Sequence, residues 1–325
     1  MRVVQAASFG GPEVLVTSEA PDPVAGPGQA VVAVSVVDAL FVDTQIRRGL
    51  GGEHFAVRPP YVPGGGVAGT VTAVGEGADA GWIGRSVAAH TGGGGGYGGY
   101  TEQTLAPAEE LIPVPDGLGL QEAAALLHDG NTALGLLETT GARAGEWVLV
   151  TAAGGGLGIL LVQLAHAAGA RVVAAARGKQ KLDLVAELGA DVAVDYSEAG
   201  WSERVREATG GTGVDVVFDG AGGEIGAAAF EIVAPGGRFS AHGAPGGFTQ
   251  IDRHEAERRG VTVRGIEQVQ GLGASARRRV ERALAEATAG RIRPVIGQTF
   301  PLERAADAHA AIEAREVIGK TLLLT

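Results

Sequence analysis

The stretch VLVTAAGGGLGILLVQLAHAAGA, Val148–Ala170, decides how this chain is read. An apolar strand runs into Gly154-Gly155-Gly156-Leu157-Gly158 and then into an apolar helical pattern. Such a turn cradles a phosphate when glycines remove the side chains that would block it and the first N–H groups of the helix face the anion. The chain holds 55 glycines, and Ala152-x-x-Gly155-x-x-Gly158 departs from the strict Gly-x-Gly-x-x-Gly spacing. The place between strand and helix therefore carries the assignment, and the spelling does not. Gly155, Gly156, Leu157 and Gly158 are the expected cofactor loop: Gly155 and Gly156 admit the ligand to the backbone, and Gly158 lets the helix pack on the sheet.

Downstream, apolar strands alternate with helical patterns. WVLVTAA, RVVAAAR, DVAVDY, VDVVFDGAG, GGRFSAHG and VTVRGI make six candidate strands. Continuous apolar runs of this kind predict a doubly wound parallel sheet buried on both faces, a Rossmann architecture. Upstream, short strands separated by Pro21-Asp22-Pro23, Gly26-Pro27-Gly28 and Pro59-Pro60 predict a β-rich, barrel-like unit. The class is α/β with divisions expected at 1–122, 123–267 and 268–325, the last returning to the first unit because the sheet is complete without it.

The second strand of a dinucleotide site usually ends in a carboxylate that binds the adenosine ribose. Here it ends Ala174-Ala175-Ala176-Arg177-Gly178-Lys179. Arg177, with Lys179 or Lys181, is suited to a 2′-phosphate, which predicts NADPH in preference to NADH.

Composition bounds the remaining classes. Net charge is −11, which disfavours nucleic acid or an anionic membrane as the main partner. The basic run Arg277-Arg278-Arg279 is expected on a solvated helix face. No apolar run reaches the length of a membrane span and no signal peptide is evident. With no cysteine there is neither a disulfide framework nor a thiolate nucleophile, which fits a cytoplasmic setting.

Taken together, FGGPEVL (Phe9–Leu15), VDTQIRRG (Val42–Gly49), PYVPGGGVAGTVTAVGEG (Pro60–Gly77), EAAALLHDGNTA (Glu122–Ala133), AAGGGLG, GGTGVDVVFDGAGG (Gly210–Gly223) and IGKTLLL (Ile318–Leu324) carry a resemblance across nearly the whole chain. The chain resembles the zinc-independent quinone oxidoreductase (ζ-crystallin-like) branch of the medium-chain dehydrogenase/reductase superfamily. That resemblance implies a GroES-like catalytic domain beside a Rossmann domain, NADPH in the cleft, and a homodimer. It places Lys181 and Tyr196 at the adenosine 2′-phosphate and Thr132 near the nicotinamide, and puts Gly243 and Lys320 in the same cofactor set.

Zinc alcohol dehydrogenases of the superfamily carry Cys where this chain has about Leu40, and Gly-His-Glu where it has Gly64-Gly65-Gly66. Catalytic zinc needs about three converging ligands, so no metal is expected. The family's NPVDTYIRSG reads Leu40-Phe41-Val42-Asp43-Thr44-Gln45-Ile46-Arg47-Arg48-Gly49, losing its Asn and Tyr; its Gln-Gly-Leu-Thr becomes Asp129-Gly130-Asn131-Thr132. The cofactor half follows the family and the substrate half departs from it.

Without a metal to polarise an isolated ketone, the favoured acceptors are conjugated: a quinone, or the C=C of an α,β-unsaturated carbonyl compound. These need a donor at the developing oxyanion and a proton source. Asp43, Tyr97, His128 and Asp129 are the catalytic candidates, with His128-Asp129 read as a pair near a helix start. Leu40, Phe41, Gln45, Tyr61 and His90 are the substrate-pocket candidates, and Phe55 and Phe248 are further apolar ones. Two alternatives stand beside this: an enoyl reductase for a bulkier specialised substrate, and a non-catalytic NADPH-binding protein of crystallin-like or RNA-binding kind.

Overall fold

The structure, a computed structural model, describes residues 1–50, 55, 57–91 and 98–325. In chain order the first part contains β1 (Arg2–Ala6), β2 (Leu15–Glu19), β3 (Gln29–Ala39), α1 (Phe41–Arg47), β4 (Gly66–Val74), β5 (Ser86–His90), β6 (Gln103–Pro107), β7 (Ile112–Pro113) and α2 (Leu120–Thr140). The alternating part follows with β8 (Trp147–Thr151), α3 (Gly156–Ala167), β9 (Arg171–Ala176), α4 (Lys179–Glu187), β10 (Val192–Asp195), α5 (Trp201–Ala208), β11 (Val214–Asp219), α6 (Gly223–Glu231), β12 (Val233–Ala241), α7 (Arg253–Arg259), β13 (Thr262–Arg264) and α8 (Glu267–Gln270). The tail is α9 (Ala276–Thr288), β14 (Ile296–Pro301), α10 (Ala305–Ala314) and β15 (Lys320–Leu324).

Two compact units result: 1–128 with 280–290 and 294–325, and 129–279 with 291–293. The divisions expected after 122 and 267 fall earlier than these. The divisions observed after 128 and 279 lie inside the continuous helices α2 and α9, and Gly290 and Pro294 flank the short return at 291–293.

The first unit is organised by β3. One side of this long strand pairs antiparallel with β4; the other pairs with β6 along Gln29–Ala33 and with β15 along Val36–Ala39. Val32 and Val34 and, beyond a bulge between Val34 and Val36, Val37 enter an apolar core with Val67, Val87, Leu111, Tyr100 and Leu323. Asp38 lies opposite Leu322 of β15. Directly opposed residues share a face, and so do residues two apart along a strand. The register therefore sets Asp38 on the same face as Lys320, and both are buried.

The second unit is a six-stranded parallel sheet in the order β10-β9-β8-β11-β12-β13. The central strands are closed on both faces, as their apolar runs require: Val148–Thr151 and Val172–Ala176 are buried throughout. Helix α3 buries every residue from Gly158 to Ala165, which its all-round apolar sequence demands. The polar side chain among these buried residues, Gln163, donates to the carbonyls of Ile159 and Arg293 and accepts from the Arg293 N–H. The outermost strand departs from the expectation of double burial: Thr262, Val263 and Arg264 of the edge strand β13 are all exposed. A second difference concerns Arg279, expected on a solvated face. It is buried, donates to the Asn131 side-chain oxygen at 2.8 Å and to the Leu272 carbonyl, and pairs with Glu138.

Candidate active site

In the parallel-sheet unit the chain leaves β8 through Ala152, whose φ of 51° is left-handed without being glycine. Backbone of this kind costs roughly 1–2 kcal/mol and marks a constrained turn. Helix α3 then begins at Gly156 behind Gly155, which offers no side-chain cap. The first N–H groups of the helix, from Gly156, Leu157 and Gly158, thus have no intrahelical acceptors. A Cβ on Gly158 would lie 2.5 Å from the Ala152 oxygen and 2.7 Å from the Ala153 Cα, so the close approach of helix to strand requires glycine there. A Cβ on Gly155 would meet nothing nearer than 3.5 Å; its backbone is bare without any packing need.

Beside the loop, a Cβ on Gly154 would lie 2.8–2.9 Å from the stem of Lys181, so the third glycine makes room for that side chain. Lys181 is half-buried, and burial together with the nearby Arg177 charge lowers its ammonium below the ordinary value. Arg177 is exposed, and Lys179 is engaged with Asp183 at 2.7 Å. A carboxylate absent from the end of β9 is present at the end of β10. Asp195 accepts the Gly178 N–H at 2.8 Å and the Ser197 N–H and hydroxyl. Burial opposes its ionisation, but these bonds and the Arg177 charge hold it below the usual carboxylate range. Tyr196 packs against the apolar core of this unit. At the ends of β11 and β12, a Cβ on Gly243 would lie 2.5 Å from the Gly220 oxygen. Thr132 is half-buried on α2 beside Asn131, whose oxygen serves Arg279.

The GroES-like unit contains a separate cluster of ionisable groups. Asp38 accepts from His128 Nδ1 at 2.8 Å through one carboxylate oxygen and holds Lys320 Nζ at 2.7 Å with the other. Burial alone would raise the Asp38 carboxyl; the Lys320 and His128 charges outweigh it and hold the group below its ordinary range. The His128 ring stands over Gly65 and Gly66. A Cβ on Gly65 would lie 3.3 Å from His128 Nε2, and one on Gly66 2.7 Å from its Cε1. His90 meets the same ring edge-on at 4.9 Å. Burial, then the neighbouring His128, depresses His90 to about 4.

Asp43 opens α1 by accepting the Leu40 N–H at 2.9 Å and is buried. Its carboxyl is raised to about 6, chiefly by burial, against the opposing Leu40 hydrogen bond. The ordinary value is 3.8, so the native state holds this proton between about pH 4 and 6 while the unfolded chain has released it. Stability from this group is therefore lost as pH rises through that window, by roughly 2–3 kcal/mol. An Asp43→Asn variant keeps the oxygen acceptor and lacks the titration. Its stability relative to wild type, measured by urea unfolding, is expected to rise by that amount between pH 4 and 6; an unchanging difference would refute the assignment.

Several expectations change. His128 and Asp129 do not pair and do not stand at a helix start: they lie inside α2, which begins at Leu120, and adjacent helical residues face different directions. Lys320, expected with the cofactor, has its ammonium on Asp38. Phe55 and Phe248 are exposed, at 42% and 68%, and form no enclosed apolar wall. Leu40, Phe41 and Gln45 are half-buried around α1, with Gln45 donating to the Thr44 hydroxyl. The Tyr61 hydroxyl is buried without a hydrogen-bond partner, and burial and Asp43 raise it to about 12. Tyr97 lies outside the described residues. Among the described residues no three His, Cys, Asp or Glu side chains gather to hold a metal ion, and no helix is long and apolar enough to cross a membrane.

Two family descriptions match the chain: "Alcohol dehydrogenase GroES-like domain" over residues 26–116 and "Zinc-binding dehydrogenase" over residues 156–287. A 2-haloacrylate reductase from Burkholderia sp is 33% identical, covering 97% of this chain and 96% of its own. A quinone oxidoreductase from Sus scrofa is 31% identical over 100% of this chain and 98% of its own. A mycobacterial protein solved in complex with NADPH superposes with a TM-score of 0.90 at 32% identity, over 100% of both chains. The chain belongs to the quinone oxidoreductase family of the medium-chain dehydrogenase/reductase superfamily.

Within this family, Gly64-Gly65-Gly66 takes on a positive meaning. Where zinc-dependent members carry His and Glu, the missing side chains leave space that Tyr100 and His128 fill; a Cβ on Gly64 would lie 2.5 Å from the Tyr100 ring. Asp38 was missed from sequence. Its signal was a lone carboxylate in the apolar run VVAVSVVDA, since a buried charge needs a partner.

Proposed function

We propose that this protein is a metal-free, NADPH-dependent reductase of conjugated acceptors: quinones, or the C=C bond of α,β-unsaturated carbonyl compounds. The observation that carries the reading is the cradle between β8 and α3, with bare glycine backbone at an uncapped helix start and Arg177 and Lys181 beside it. These residues fit a pyrophosphate and an adenosine 2′-phosphate. Asp195 is occupied by three donors of its own chain. The Burkholderia relative is named for an acrylate, whose C=C is conjugated to a carboxylate, and the mycobacterial neighbour holds NADPH.

When bound, NADPH supplies a hydride. The residues of the chain then have three tasks. Gly155, Gly156, Leu157 and Gly158 hold the pyrophosphate through backbone N–H groups. Arg177 and Lys181 select the phosphorylated adenosine. His128 delivers a proton from Nε2 to the oxygen of the reduced acceptor, and solvent restores it through a side chain that is 26% exposed. Leu40, Phe41 and Gln45 border the acceptor, and the buried Tyr61 hydroxyl is a donor free to meet its oxygen.

The reading is tested by NADPH oxidation against quinones, enones and enals of graded size, with isolated ketones as controls. Turnover of conjugated acceptors and inert ketones is expected; tight NADPH binding with every acceptor inert would overturn it. A second measurement addresses the cofactor. An Arg177→Ser, Lys181→Ala variant is expected to lose about 100-fold in kcat/KM for NADPH, two charge-assisted contacts being removed, while NADH values stay nearly constant. Equal wild-type kcat/KM for both cofactors would refute the assignment.

A further inference from the structure

We propose that Asp38, clamped by Lys320, is the positioning residue that holds His128 in the Nδ1–H form with Nε2 presented over Gly65. This rests on the assignment of His128 as proton donor.

The three groups come from β3, α2 and β15, far apart in sequence. Asp38 is fully buried and Lys320 is 6% exposed at the side chain, so neither is a solvated surface ion. Such a pair is costly to desolvate and is a poor device for stability alone. Its geometry is divided: one carboxylate oxygen takes the ammonium and the other takes the imidazole. An ionised carboxylate only accepts, so the bond at 2.8 Å requires the proton to sit on Nδ1. Nε2 is then the nitrogen that gains and loses a proton during turnover. The imidazolium gives its Nε2 proton to the substrate oxygen and reverts to the Nδ1–H form without rotating.

The surroundings agree with this. No side chain stands at Gly65 or Gly66 to displace the ring, and a Cβ at either would crowd it. His90 presses on the ring edge-on and is itself kept neutral by burial and by His128, so it adds no competing charge. The other ionisable neighbours facing this cluster are Asp43 on α1, which takes the Leu40 N–H, and two phenols: Tyr100, which meets His309 Nε2, and Tyr61, whose hydroxyl is buried without a hydrogen-bond partner. Asp38 is thus the group that engages Nδ1.

The test uses the full-length protein labelled with ¹⁵N-histidine, with the His128 ring assigned by comparison with a His128→Gln variant. At alkaline pH the wild-type ring is expected almost wholly as the Nδ1–H tautomer. Asp38→Asn leaves Lys320 without its counter-ion and risks unfolding, so the double variant Asp38→Asn, Lys320→Met accompanies it and removes both charges. Both are expected to shift the ring toward the Nε2–H tautomer and to lower kcat about 10- to 100-fold. KM for the acceptor and Kd for NADPH should hold within about twofold. A wild-type ring in the Nε2–H form, or a double variant with unchanged tautomer and kcat, would overturn the role of Asp38 while His128→Gln remains slow. Full kcat in His128→Gln would instead remove the proton donor itself, and the positioning role with it.

Discussion

Replacing His128 with alanine is expected to lower kcat for a conjugated acceptor about 100-fold or more while leaving the NADPH dissociation constant unchanged. Proton delivery by a positioned side chain contributes typically 10²–10⁴ in rate. His128 belongs to the GroES-like unit and the cradle glycines to the parallel-sheet unit, so cofactor affinity serves as the control. The protein is expected to remain folded. Asp38 retains Lys320 as its counter-ion when the imidazole is gone, so no buried charge is orphaned. Thermal unfolding within a few degrees of wild type checks this. A His128→Ala enzyme with full kcat would show that water donates the proton.

The second large effect concerns the cradle, where two neighbouring glycines separate packing from binding. In Gly158→Val the new side chain meets the Ala152 oxygen and the Ala153 Cα at distances no carbon tolerates, and both are backbone. Helix α3 must move off the strand, costing about 3 kcal/mol or more, and NADPH affinity should fall beyond detection together with Tm. Gly155→Ala is different. Its Cβ clears the protein by 3.5 Å and its φ of −88° suits alanine, so folding should be undisturbed. The methyl group would still cover backbone meant for the phosphates. A fall of more than about tenfold in NADPH affinity at unchanged Tm is expected, as a ligand loses close backbone approach. Isothermal calorimetry with thermal unfolding reads both variants. Wild-type affinity in Gly155→Ala would refute the cradle.

The two halves of the chain were unequally legible. The strand–turn–helix at Val148–Ala170 announces itself because its signals are local: a period, a glycine break and a carboxylate-free strand end all lie within some thirty residues. Even there the sequence concealed Asp195, which reaches the Gly178 N–H from the next strand. The polar cluster was opaque for a different reason. His128 stands beside Asp129 in sequence, and that adjacency invited a pairing that helical geometry forbids. Its partner, Asp38, comes from a strand ninety residues away and is balanced by Lys320 from the last strand. Only the register of β3 with β15 makes that triad, and no short-range pattern encodes a register. Likewise Arg279 reads as one of three surface cations until the fold delivers Asn131 to it.

The most direct measurement is the fate of a deuterium carried at the transferring C4 position of NADPH when the enzyme reduces an enone. The expected product is the saturated ketone with deuterium on the former β-carbon, and the proton added at the adjacent carbon comes from water. Deuterium on the carbinol carbon of an allylic alcohol, or NADPH left unoxidised by every conjugated acceptor, would contradict a reductase of conjugated double bonds.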